Sequence, residues 1–154
     1  MEPSHQAIDG SGYHGQPATE PTIALEEFYG AFNAGDLELM TAHWLTAEAV
    51  MDNPLGGIAR GWPAIRAVYE RIFRGPARVR VAFHDYTLHE GGALFYAVGR
   101  ERGTLEREGQ RLDLAFRTTR VFRRVEGVWR QVHHHGSIDD PGLLQRYQSL
   151  VRGE

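Results

Sequence analysis

Apolar positions first recur with a helical period at Pro21, where Leu25, Phe28, Tyr29 and Phe32 fall at i, i+3, i+4 and i+7 and form one stripe. Asn33-Ala34-Gly35 ends this helix, and Asp36 is placed to cap a second one whose Leu37, Met40 and Trp44 share a face. Residues 49–53 have strand character and close at Pro54 and Gly56-Gly57, after which 58–61 can return as a partner. Pro63 suits the first turn of a third helix carrying Ile65, Val68, Tyr69, Ile72 and Phe73, which Gly75-Pro76 stops. The second half changes period. Strands are predicted at about 78–88, 93–105, 110–124 and 128–137, joined by connections short enough for antiparallel neighbours. Asp139-Asp140-Pro141 then opens a last helix with Leu143, Tyr147, Leu150 and Val151 on one side. Helices followed by a curled meander predict an α+β domain whose sheet has one face covered by the helices. Residues 1–20 lack either period and read as a flexible tail, leaving a domain over 21–138 and a helical extension over 139–154.

Composition narrows the chemistry. The chain has 154 residues and a net charge of -3, with no cysteine, so thiol catalysis, disulfides and Cys-based metal sites are excluded. All 17 basic residues are arginine, which removes lysine Schiff-base chemistry. No concentrated basic face is implied, so nucleic acid is not an expected partner. No apolar run is long enough to span a bilayer, and the first residues lack the basic-then-apolar order of a signal peptide. The expectation is a soluble cytoplasmic protein without a membrane partner.

Three stretches, FYGAFNAGDLELMTAHWLTAEAVMDNPLGG, GWPAIRAVYERIF and TTRVFRRVEGVWRQVHHHGS, resemble the nuclear transport factor 2-like superfamily in its SnoaL-like and ketosteroid-isomerase-like branches. The last stretch is also similar to the association (hub) domain of calcium/calmodulin-dependent protein kinase II. The resemblance implies a cone, in which a bent antiparallel sheet wraps the helices around an open pocket and chains pair as homodimers through the sheet face. Isomerases, cyclases, dehydratases, oligomerisation modules and plain ligand binders all use such a scaffold.

The steroid-isomerase pattern places a tyrosine and an Asp base where this chain has Phe28 and Asn53. Phenylalanine cannot donate to an oxyanion and an amide cannot take a proton, so that mechanism in its known form is excluded. Tyr29 and Asp52 are each one residue out of phase, and Asn53 is expected as a hydrogen-bonding pocket residue. The hub pattern turns Arg100 and Arg120 into the cavity, with Tyr96 and Phe116 as walls. Alternation supports Arg120, which shares a face with Leu112, Leu114, Phe116 and Phe122; Tyr96, Val98 and Arg100 share another. A guanidinium in an apolar cone needs an anion. That anion is either an internal carboxylate, such as Glu26, Glu70 or Asp52, or a bound carboxylate or enolate.

His133-His134-His135 invites a metal, but no third ligand completes a set, so neither metal nor cofactor is expected. Alternation separates Trp129, Gln131, His133 and His135 from Val132 and His134, and the resemblance turns the second set inward. His134 is then the candidate for acid-base work, with Asp52 as the other catalytic candidate. His43 reads as a surface or rim residue. The expected activity is binding, as a homodimer, of a small organic acid or polar aromatic ligand, anionic or carbonyl-bearing. The alternatives are proton transfer beside a carbonyl, as in an isomerase, cyclase or dehydratase, and an oligomerisation module with a vestigial pocket.

Overall fold

The computed structural model describes residues 1–153. Helix α1 (Pro21–Ala34) begins on a proline whose missing N–H is not needed in the first turn and ends on Gly35, at φ 64°. Helix α2 (Leu37–His43) follows at once, capped by the Asp36 side chain, which accepts from Leu39 N at 2.9 Å. Strands β1 (Val50–Asp52) and β2 (Ile58–Arg60) form a small hairpin, and α3 (Trp62–Arg74) packs behind it. Four long strands come next: β3 (Arg78–Gly91), β4 (Leu94–Arg107), β5 (Gln110–Val125) and β6 (Val128–Ser137). Helix α4 (Pro141–Arg152) closes the chain. The sheet order is β2-β1-β6-β5-β4-β3, antiparallel throughout except for the parallel pair of β1 and β6. This is the α+β arrangement that the period change predicts.

The inner sheet face and the three leading helices enclose one core, with Phe28, Tyr29, Phe83, Phe95, Phe122 and Trp129 fully buried. Two interruptions set which side chains enter it. In β3 the register shifts between His84 and Thr87. In β6, Val121 pairs with His133 while Phe122 pairs with Gln131, so Val132 is an extra residue opposite that junction. Such a bulge reverses the side-chain phase of a strand. Trp129 and Gln131 therefore point inward before it, and His134 and Gly136 point inward after it. Alternation groups Trp129 and Gln131 with His133 and His135, the resemblance places that set on the outer face, and the bulge corrects the reading for Trp129 and Gln131.

Residues 1–20 also depart from expectation. Ser4 and Ile8 form antiparallel bridges to Tyr86 and Phe83 of β3, and Ala18 O accepts from Trp129 N at 2.8 Å. Ile8 and Ala18 are buried. Gly10, at φ 91°, lies so close to α1 that an added Cβ would sit 2.2 Å from Gly30 N. Asn33 joins the three parts, donating through Nδ2 to Asp9 O and Val81 O while its Oδ1 accepts from Val81 N. The segment is held by isolated anchors rather than by a periodic stripe, and periodicity cannot register that.

Candidate functional site

The cone interior holds six polar side chains in one continuous chain of hydrogen bonds. Arg120, on β5, is 1% exposed. It donates through Nη2 to Glu101 Oε1 at 2.5 Å, through Nε to the Tyr29 hydroxyl at 3.2 Å and through Nη1 to Gln131 Oε1 at 2.9 Å. The Tyr29 hydroxyl in turn donates to Glu101 Oε1 at 2.8 Å. The guanidinium carbon lies 3.6 Å from the Phe28 ring centroid, a cation–π contact that gives the phenylalanine at the isomerase-tyrosine position a definite role.

Gln131 carries the chain further. Because its Oε1 accepts from Arg120, its Nε2 must donate, and it does so to His43 Nε2 at 2.9 Å. His43 Nδ1 then donates to Glu27 Oε1 at 2.8 Å. The imidazole is neutral in this arrangement, since a proton on Nε2 would face another donor. Burial lowers its pKa in the same direction, against the opposing pull of Glu27. His43 is fully buried rather than a rim residue.

Below this network, Met51, Asn53, Tyr69, Phe116, His134 and Tyr147 line a cavity of about 40 Å³, which Arg120 and Glu101 also reach. This is room for only a few waters. Helix α4 forms part of the wall, with Tyr147 packed 5.4 Å from Phe116 between ring centroids. Burial holds the Tyr147 phenol above its ordinary pKa, so it remains a neutral donor. His134 is 5% exposed, and neither ring nitrogen has a hydrogen-bond partner among the described residues. Burial, then the Arg120 charge, holds its pKa well below the ordinary value, so the ring is neutral. Gly136 leaves space for it: a Cβ there would lie 2.7 Å from Pro54 Cγ and 3.1 Å from His134 Nε2.

The expected residues divide. Arg120, Phe116, Asn53 and His134 line the cavity, and Tyr29 meets Arg120 and Glu101 in the network above it. Arg100 and Tyr96 do not line it: both are exposed on the outer face, because Phe95, Ala97, Glu101 and Leu105 are the inward set of β4. Asp52 also points outward, beside His135 at 3.2 Å, while its neighbour Met51 takes the inner position. The internal anion is none of Glu26, Glu70 or Asp52 but Glu101.

A bent sheet around three helices, with a pocket walled in part by α4, is the nuclear transport factor 2-like, or cystatin-like, fold. The family model for the SnoaL-like domain matches residues 23–141, and the chain belongs to that family. Solved structures agree on the fold. A putative dehydratase of the NTF2-like family from Streptomyces avermitilis is 21% identical, with a TM-score of 0.69 over 75% of this chain and 91% of its own. A putative calcium/calmodulin-dependent protein kinase type II association domain from Thiobacillus denitrificans is 25% identical, with a TM-score of 0.65 over 78% and 95%. The S. rosetta CaMKII hub is 18% identical, with a TM-score of 0.67 over 80% and 98%. No curated protein matches the chain.

Proposed function

We propose that this protein binds a small carbonyl-bearing molecule in the cone, hydrogen-bonded by His134, while Asn53 at the cavity wall is held by the turn through Leu55 N and Gly56 O. The observation that carries this reading is His134, buried at the cavity wall with two nitrogens that have no partner among the described residues. A buried polar group left without a partner costs about 1–3 kcal/mol, and a bound molecule relieves that cost. Arg120 already has Glu101, so no unpaired cation is left in the interior for a free carboxylate and a neutral ligand is favoured. In its closed form the cavity accepts only a few heavy atoms, and a larger ligand displaces Tyr147. Turnover by proton transfer beside the carbonyl is the enzymatic extension, with neutral His134 as acceptor. The likeness to a putative dehydratase from S. avermitilis is compatible with it. A thermal-shift screen against small ketones, aldehydes, amides and carboxylic acids tests the reading. Carbonyl compounds should raise the melting temperature of the wild type and not of His134→Leu; no response in the wild type, or an equal response in both, would defeat it.

A second reading, assembly, is favoured by a different observation. Leu94, Tyr96 and Val98 are 41%, 45% and 41% exposed in one row on the outer sheet face, an apolar stripe suited to a second copy of the chain. The likeness to hub domains points the same way. Sedimentation should give a homodimer or larger ring that Tyr96→Arg dissociates; a monomeric wild type removes this reading and leaves the first intact.

A further inference from the structure

The β6 bulge that turns His134 inward leaves His133 and His135 together on the opposite face, two residues apart and on the same side of the strand. Strand β1 runs parallel beside them, with Val50 level with His133 and Asp52 level with His135. That register supplies the third ligand which the sequence does not reveal. One ligand atom from each of Asp52, His133 and His135 falls within 4.8 Å of the others. We propose that these three side chains bind a divalent transition metal of the zinc type on the outer face of the sheet, independently of the pocket.

Two features support a built site. His133 Nδ1 lies 2.8 Å from Val50 O, which can only accept, so Nδ1 carries the proton and Nε2 is left as the free lone pair. A backbone carbonyl fixing the tautomer in this way is the usual arrangement behind a ligating histidine. His135 Nδ1 lies 3.2 Å from Asp52 Oδ2, and a metal would take the place of the proton between them. Two imidazoles and one carboxylate suit zinc and its neighbours rather than calcium or magnesium, and leave a fourth position open to solvent. His135 is largely exposed and gives the ion a path in.

The test uses the full chain, stripped with a chelator and titrated with zinc sulfate by calorimetry, and with cobalt(II) for its visible absorption. The wild type should bind one ion per chain and gain melting temperature with added zinc. His135→Ala and Asp52→Asn should each weaken binding by about tenfold or more and abolish the cobalt spectrum, with unchanged apo melting temperature. His89→Ala, on the same face but outside the cluster, should bind as the wild type does. No one-to-one binding in the wild type, or binding that survives both triad substitutions, or loss in His89→Ala instead, overturns the proposal.

Discussion

Two histidines lie inside the same cone and were given opposite treatment. His43 has both ring nitrogens engaged, by Glu27 and Gln131, in a network that reaches Arg120, Glu101 and Tyr29. His134 has neither engaged, although Arg120 is its cross-strand neighbour. Equal burial therefore does not mean equal purpose. Where every donor meets an acceptor, the polar groups are part of the scaffold, whereas His134 at the cavity wall has hydrogen-bonding capacity to spare.

The sharpest way to break this contrast is at the network's centre. Arg120→Ala leaves Glu101 buried without its cation and should cost about 3–5 kcal/mol in urea unfolding. Arg120→Met combined with Glu101→Leu should recover most of that loss, since both charges go together. A smaller difference should separate the histidines. His43→Leu strands Glu27 and Gln131 and should cost about 1–3 kcal/mol, whereas His134→Leu breaks no hydrogen bond and should be neutral or stabilising. A loss at His134 as large as at His43 would erase the distinction. Gly136→Ala, whose new methyl meets Pro54 and presses on His134, should cost about 1–3 kcal/mol and shift ligand response more than Gly91→Ala at an open position.

The smallest effect is the dependence on pH. His43 is held neutral in the fold and takes up a proton when unfolded, so its contribution is present above its unfolded pKa and lost as pH falls below about 6.5. Stability should fall more steeply in the wild type than in His43→Gln, by up to about 1.4 kcal/mol per pH unit, as read by denaturant midpoints from pH 7 to 5.

Helix positions are legible because Leu25, Phe28 and Tyr29 in α1, and Ile65 and Tyr69 in α3, each recur at a period that only one face can satisfy. Strand order followed from short turns. The phase of β4 was not legible from its apolar start, since residues 93–98 are hydrophobic on both faces. Its polar continuation did carry the signal: Gly103 and Leu105 alternate with Arg100, Arg102 and Thr104, and place Glu101 inward. Arg120 faces inward as alternation predicts, because β5 alternates cleanly along its length. The bulge at Val132 has no marker in composition, so the faces of Trp129 and Gln131, and Asp52 as the neighbour of His135, needed the paired strands to be seen. Glu27 and His43 come from two helices whose contact no single-helix period reports.

β3 is the last strand of the sheet, and its outer amides meet the first residues of the chain at Ser4 and Ile8. An uncovered margin of this kind is a template for adding strands from other molecules. Shortening the protein from its front would therefore trade a quiet border for an adhesive one, and preparations lacking residues 1–20 should clump at concentrations where the whole chain stays dispersed.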